Sequence, residues 1–283
     1  MTTTSWADCL ANAAPITSTK TAVYREIKAL DFAGQSGTLR LEGLHPLEEA
    51  LKADRDITHL LLTPQASTLQ DLSPALAVKL VNTPCFTLSS DLMTGLQSSK
   101  TPLPILALSP AAVPEPCPPS GGVLVLAGLQ DPGNLGNLIR TAAAFNLQAI
   151  WICGPNALSA YHAKVIRASA GLVFRLPLNH FSSLSEAVTT AHQLTPQTPW
   201  LITACADTTP LPTSYTQLSP LPPNYFLCLG NESHGLSGPH VFPNPTLVPL
   251  LPLTIPMAPD VDSLNVASAG AILMAHFANV QQD

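Results

Sequence analysis

The chain predicts an α/β protein in two parts, a small N-terminal α/β unit followed by a larger domain built on a parallel sheet. Three observations carry that prediction. From Gly121 onward, short apolar runs alternate with segments of helical spacing, the pattern of successive βαβ units. Before them, residues 110–120 (PAAVPEPCPPS) hold five prolines in eleven positions. Such a run continues neither a helix nor a central strand and reads as a stiff, extended linker. A length of 283 residues also fits two domains better than one.

The elements follow in order. Residues 1–20, rich in Thr and Ala, read as a flexible leader. Residues 21–30 (TAVYREIKAL) have the amphipathic spacing of a short helix. Residues 37–53 read as a strand (TLRLEG) leading into a helix (HPLEEALKA), with Pro46 acceptable in its first turn. Strands at 57–62 and 103–108 and a helical segment at 74–81 complete a first unit over 21–109. In the second domain, 121–283, the run VLVLA at 123–127 suits a buried parallel strand. Asp131-Pro132-Gly133 turns the chain into a helix over 134–145, and 149–153 is the next strand. Further strands are expected at 201–206 and 225–230, with a Pro-rich surface connection over 195–223. The apolar run 247–257 leads into a last helix capped by Ser263, whose Ala267, Ala269, Gly270 and Ala271 permit close packing against another element. No internal repeat is present.

Composition bounds the chemistry. Charged residues make up 11% of the chain, against about 25% in a typical globular protein. The 46% apolar fraction excludes global disorder. A net charge of −6 argues against a broad nucleic-acid surface. From Gly121 onward, however, the basic residues are Arg140, Lys164, Arg167 and Arg175, close enough in sequence for one local phosphate-binding patch. The six cysteines are dispersed without a CxxC pair, so neither a zinc framework nor a disulfide scaffold is expected. Cys153, Cys205 and Cys228 lie in apolar runs and read as small buried hydrophobes. The first 20 residues lack the apolar core of a signal peptide, and no uninterrupted apolar run reaches ~18 residues. A cytoplasmic protein with no membrane partner is the expectation.

Three stretches concentrate polar chemistry where strands end or helices begin: 134–145 (NLGNLIRTAAAF), 227–237 (LCLGNESHGLS) and 255–274 (IPMAPDVDSLNVASAGAILM). Each has a plain reading when taken alone. Asn134 alone is a helix cap, Arg140 an edge arginine reaching solvent, and Glu232 a turn carboxylate at a helix start. The first stretch is neither a Walker loop nor GxGxxG. Ser233-His234 suggests a hydrolase, but the nucleophile elbow needs Gly two residues before its Ser, and Gly230 stands three before. The third is a strand–loop–helix junction whose Ile255, Met257 and Leu264 would suit an adenine face.

Together the three stretches resemble, in order and spacing, the motifs of the SpoU/TrmH branch of the SPOUT RNA methyltransferases: NxGxxxRTA, LxxGxExxGLS and IPMx5SLNV. Residues 164–171 (KVIRASAG) are similar to the family between its first two motifs. The resemblance covers about 121–280. More weakly, residues 39–51 (LRLEGLHPLEEAL) resemble the family's L30e-like substrate-binding domain.

The resemblance implies a parallel sheet with a deep trefoil knot, a homodimer, and S-adenosyl-L-methionine (SAM) bound in the knot, largely by backbone groups. The matching positions are Leu229, Gly230, Ile255, Met257, Ser263 and Leu264. It implies methyl transfer to a ribose 2′-hydroxyl of RNA without a metal. Arg140 is the central residue, Asn134 and Asn265 help position the site, Glu232 is the motif carboxylate, and Lys164 and Arg167 contact RNA. His234 matches no functional position. An N-terminal domain of this size is more similar to the ribosomal-RNA enzymes than to the compact tRNA type. The alternatives are a tRNA 2′-O-methyltransferase or an inactive RNA-binding or assembly factor of the same fold. Two departures stand out. Asn146 occupies a usual Gly position, which left-handed geometry tolerates, and Pro259-Asp260 replaces a Gly-containing pair.

Overall fold

The computed structural model describes residues 5–111, 121–155, 157–194, 199–204, 212–230 and 249–280. The chain divides into two compact units, Met1–Ala112 with Ser159–Arg175, and Val113–Leu158 with Leu176–Asp283.

The first unit begins earlier than the sequence suggests. Helix α1 (Trp6–Ala11) is closed by a capping box in which the Ser5 hydroxyl accepts from the Asp8 N–H while the Asp8 carboxylate accepts from the Ser5 N–H. Trp6 is buried, and its indole N–H donates to the Gln70 carbonyl at 3.0 Å. Strand β1 (Ala14–Ile16) follows. The flexible leader expected over 1–20 is therefore corrected for its described part, because one buried indole and one paired strand anchor it.

Helix α2 (Ala22–Ala29), strand β2 (Thr38–Glu42), helix α3 (Leu44–Lys52) and strand β3 (His59–Leu62) match the expected elements closely. The helical stretch over 74–81 is α4 (Pro74–Ala77) continued by a 3-10 turn, Val78–Leu80. Strand β4 (Cys85–Leu88), helix α5 (Ser90–Thr94) and strand β5 (Ile105–Pro110) complete this part. The sheet runs β1-β4-β3-β5-β2, with β1, β4 and β3 parallel and β5 antiparallel to both neighbours. Pro110 is still in the sheet, opposite Thr38, so the strand takes the first residue expected of the linker. Residues 112–120 lie outside the described residues.

Arg40 is an unexpected core residue, 1% exposed in β2. Its guanidinium donates to the carbonyls of Ile27 and Leu30 at 2.6 Å and to that of Leu96, with the Phe32 ring 4.3 Å away. Burial of a cation is tolerable when carbonyls at a helix C-terminus receive it.

The second unit opens with β6 (Gly122–Ala127), α6 (Pro132–Ala144) and β7 (Ala149–Cys153), the βαβ pattern of the sequence. Asn146 ends the α6 turn at φ 56°, and Leu147 N–H donates back to Ala142 O at 3.0 Å. This is the left-handed exit that Asn supports in place of Gly. The chain then leaves this unit. Helix α7 (Ala163–Ala168) sits within Ser159–Arg175 and packs on β2 of the first unit. Residues 159–175 thus group with the first unit. Two long-range ion pairs join it there, Arg167–Glu42 at 3.2 Å and Arg175–Glu49 at 2.6 Å.

Glu42 is fully buried and also accepts from the Ser98 N–H at 2.6 Å and hydroxyl at 2.8 Å. Burial alone would raise the Glu49 carboxyl, but hydrogen bonds from Arg175 and Lys52 hold it below the usual carboxylate range. Gly171, at φ 81°, lets this segment approach the Pro46 backbone.

Strand β8 (Leu178–Phe181), helix α8 (Leu184–Leu194), strands β9 (Trp200–Ala204), β10 (Thr213–Ser214), β11 (Tyr225–Leu229) and β12 (Leu250–Thr254), and helix α9 (Val266–Val280) finish the unit. Its sheet has the order β10-β12-β9-β11-β6-β7-β8, and every pairing is parallel. Trp151 centres the core, with the Phe181 and Phe226 rings 4.7 and 5.0 Å away. No helix among the described residues is long and apolar enough to cross a membrane.

Candidate active site

Because all strands of the second unit run parallel, their carboxyl ends share one edge. The chain leaves β6 toward β7 and β8 on one side, and β11 and β9 fill the other. The connection direction therefore reverses between β6 and β11, the kind of crevice where open α/β sheets bind ligands. Helix α6 starts at the end of β6, Gly230 follows β11, and residues 255–265 follow β12. The first and third stretches, and the start of the second through Gly230, thus meet one edge.

The α6 entrance is built by Asp131, whose carboxylate accepts from the Asn134 N–H at 2.7 Å, with Pro132 in the first turn. Aspartate before proline is a helix-start signal, and α6 opens at Pro132, two residues before the expected 134. Asn134 is thereby relieved of capping, and its side-chain oxygen accepts from the Asn265 amide nitrogen at 3.0 Å. The Asn265 oxygen accepts from the N–H groups of Ala267 at 2.9 Å and Ser268 at 3.3 Å. Asn265, not Ser263, therefore caps α9, which starts at Val266. Asn and Ser are comparable caps, so loop geometry rather than residue preference decides between them. With its oxygen committed to two backbone donors, the Asn265 amide directs its nitrogen at Asn134. One side chain joins two motifs 131 residues apart.

The helices behind this link are tightly apposed. A β-carbon on Gly270 would overlap Leu138 of α6 and lie 2.8 Å from Leu229 Cδ1 at the end of β11. The small-residue expectation for the last helix is met at Gly270. Arg140 stands on the exposed side of α6, opposite the buried Leu135, Leu138, Ile139 and Ala142. Among the described residues it makes no hydrogen bond or ion pair, so its guanidinium is available to an anion.

Residues 255–264 continue β12 as irregular chain. Ile255 and Met257 are half-buried, Leu264 is 37% exposed, and Val261 is 47% exposed. The apolar side chains of Ile255, Met257 and Leu264, at the same carboxyl edge as the β11 end, suit the adenosyl group of SAM. Ser263 is exposed beside Leu264. Glu232, with Ser233 and His234, lies outside the described residues. Lys164 and Arg167 belong to the first unit, where Lys164 is exposed and Arg167 is paired with Glu42. Burial pushes the Cys153 thiol up to about 12 and Cys228 well above its ordinary value. Both are core residues, as their apolar runs suggest, and neither supplies a thiolate.

Comparison with known proteins agrees with this geometry. Residues 122–275 match the model of the SpoU rRNA Methylase family. The chain is 31% identical to an uncharacterized tRNA/rRNA methyltransferase of Synechocystis over 92% of each chain. It is 29% identical to RlmP of Bacillus subtilis, a 23S rRNA (guanosine(2553)-2′-O)-methyltransferase, over 86% of this chain and 89% of that one. The fold matches the SpoU methyltransferase AviRb of Streptomyces viridochromogenes, solved with AdoMet, at a TM-score of 0.75 and 22% identity, covering 93% of this chain and 99% of the other.

Proposed function

The chain belongs to the SpoU rRNA Methylase family, and from that premise we propose that it methylates a ribose 2′-hydroxyl of RNA, using SAM, with ribosomal RNA as the favoured substrate. The observation that carries this reading is the Asn134–Asn265 hydrogen bond, which ties the first and third motifs together at the carboxyl edge of the parallel sheet. Similarity to a 23S rRNA enzyme over most of both chains supports ribosomal over transfer RNA.

SAM supplies a methyl group on a sulfonium, already electrophilic, so the protein's task is orientation and removal of the hydroxyl proton. Ile255, Met257 and Leu264 provide the apolar face for the adenosyl group, with Leu229, Gly230 and Ser263 presenting backbone at the neighbouring loop ends. Arg140 acts as a protonated anchor. A guanidinium does not give up its proton at neutral pH, so its role is to hold an RNA phosphate and fix the acceptor hydroxyl. The asparagine pair holds the starts of α6 and α9 in register, and Glu232 is the site's carboxylate. As the new oxygen–carbon bond forms and the carbon–sulfur bond breaks, the hydroxyl proton passes to solvent.

A trefoil knot at this edge, a homodimer through the second unit, an L30e-like role in substrate binding for the first unit, and a cytoplasmic setting complete the proposal. The test is incubation with labelled SAM and separate pools of unmodified ribosomal and transfer RNA, followed by nucleoside mass spectrometry. A 2′-O-methylated nucleoside in the ribosomal pool is the expected result. Label on a base would overturn the ribose target, and label confined to transfer RNA would overturn the substrate class. SAM binding without transfer to either RNA or to ribosomal particles would identify an inactive RNA-binding factor.

A further inference from the structure

We propose that Arg167 serves methyl transfer as a positioning residue: by fastening the strap 159–175 to buried Glu42, it steadies the loop from which helix α6 carries Asn134 and Arg140. The proposal rests on the RNA-methylating reading and adds to it a support that begins outside the second unit. The chain leaves that unit after Leu158 and returns to it after Arg175.

The strap is fastened within the first unit. The Arg167 guanidinium donates to the Glu42 carboxylate at 3.2 Å, and Glu42 is fully buried. That carboxylate also accepts from the Ser98 N–H and hydroxyl, so its oxygens are fixed in direction. Arg175 holds Glu49 through two bonds, from Nε at 2.6 Å and from Nη2 at 3.1 Å. The Ala163 N–H, first of α7, donates to the Phe32 carbonyl at 2.8 Å. Gly171 lies against the Pro46 backbone, where a β-carbon would come within 2.8 Å of Pro46 Cα.

The strap starts from the turn that holds the α6 loop. The Leu158 N–H donates to the Leu129 carbonyl at 3.2 Å, and the Gly128 N–H donates to the Cys153 carbonyl at 3.0 Å. Two residues after Leu129, Asp131 caps α6 by accepting the Asn134 N–H. Gly128 at φ 67° and Gly154 at φ 123° flank these bonds, and a β-carbon on Gly128 would meet nothing within 4 Å. Such glycines give the loop little stiffness of its own. Its course is set by the buried Leu129 side chain and by these backbone bonds. Between Leu158 and Ala163 the chain is short and internally bonded. The His162 N–H donates to the Ser159 carbonyl at 3.1 Å, and the Tyr161 N–H to the Ser159 hydroxyl at 3.2 Å. A stiff run of backbone thus joins the bond on Leu129 to the bond on Phe32. Loosening the strap moves the α6 entrance, and a shift of about 1 Å at a reacting group can slow a reaction by about 100-fold.

The test is single-turnover methyl transfer by the full chain at saturating SAM and ribosomal RNA, read well below each variant's melting temperature. The KM for RNA, SAM affinity by calorimetry and the thermal midpoint are measured beside it. R167Q should transfer about 10-fold more slowly or worse, with unchanged SAM affinity and KM for RNA. R167K, which keeps a cation for Glu42, should recover most of the rate. A163P supplies an arm without a change of charge. Proline is accepted at the first residue of a helix, and His162 before it is already extended at ψ 133°. The substitution removes the N–H that Phe32 receives and should slow transfer in the same way. Wild-type rates in R167Q and A163P, whatever their midpoints, overturn the positioning role and leave the methyltransferase reading intact. A raised KM for RNA with an unchanged rate in R167Q would make Arg167 an RNA contact and overturn that role as well. A wild type that methylates neither ribosomal RNA nor ribosomal particles overturns the parent reading and this proposal with it.

Discussion

Replacing Asn265 separates two jobs that one amide performs, and the magnitudes follow from its bonds. Asn265→Ala removes a helix cap, at a cost of about 1 kcal/mol. It also removes the hydrogen bond to Asn134, worth about 0.5–1 kcal/mol for a solvent-accessible neutral pair. The expected loss is therefore about 1.5–2 kcal/mol, or about 3–8 °C in the melting of the second unit. Asn265→Ser keeps a capping oxygen but does not reach Asn134, so it should lose only the smaller part. A double-mutant cycle with Asn134→Ala isolates the pair and should give a coupling of about 0.5–1 kcal/mol. The assay is equilibrium denaturation followed by α-helical signal, together with methyl transfer from labelled SAM. The serine variant should stay folded and capped yet transfer methyl groups far more slowly, because α6 and α9 lose their shared reference point. Additive stabilities and wild-type transfer by Asn265→Ser would refute the idea that this bond joins the two motifs.

Three further outcomes follow from the same coordinates. Arg140→Ala should bind SAM normally by calorimetry while transfer falls by about 100-fold or more, the usual scale for losing a positioned charge donor; transfer at the wild-type rate would remove Arg140 from the site. Gly270→Val places a side chain where even a β-carbon overlaps Leu138 and crowds Leu229. It should cost about 1–3 kcal/mol and weaken SAM binding, and a variant with unchanged denaturation midpoint and affinity would contradict the close contact. His162 caps α7 by accepting the Lys164 N–H on Nδ1 at 3.1 Å, which needs an unprotonated ring. Burial, then the nearby Lys164 charge, lowers its pKa below the ordinary 6.5. The unfolded chain takes up this proton first, so the contribution is present above about pH 6.5 and is lost as pH falls through the depressed value. Melting between pH 7.5 and 5.5 should therefore drop less in His162→Asn, which caps without titrating, and identical pH profiles would count against the capping role.

Local pattern carried the second unit further than the first. The strand–helix–strand run from β6 to β7 needs only neighbours in sequence, and its periodicity is unmistakable. Asn146 and Gly270 were legible because each answers a local steric demand, a left-handed exit in one case and a close helix contact in the other. What escaped detection is non-local. Strand β1 is three residues long and acquires meaning only beside β4, some 70 residues later. Arg167 pairs with Glu42, 125 residues earlier, a partner to which no local pattern points. No residue pattern announces that a segment embedded in the second domain folds with the first, because its arginines pair with distant buried carboxylates. The shift of the α9 cap from Ser263 to Asn265 is subtler, since both residues satisfy the local rule and only the bond to Asn134 distinguishes them.

Scarcity of charge gives these assignments their force. A chain with 11% charged residues cannot disperse cations freely over its surface. In the first unit many of those it has are committed to carboxylates or carbonyls. A second unit of net charge −7 would be a poor RNA surface if its task were adhesion. It becomes intelligible when adhesion and chemistry are separated. Repulsion disfavours an RNA strand that lies anywhere but against the one guanidinium, so a single attractive contact gains selectivity from the repulsive field around it. The same field makes binding by that unit alone weak.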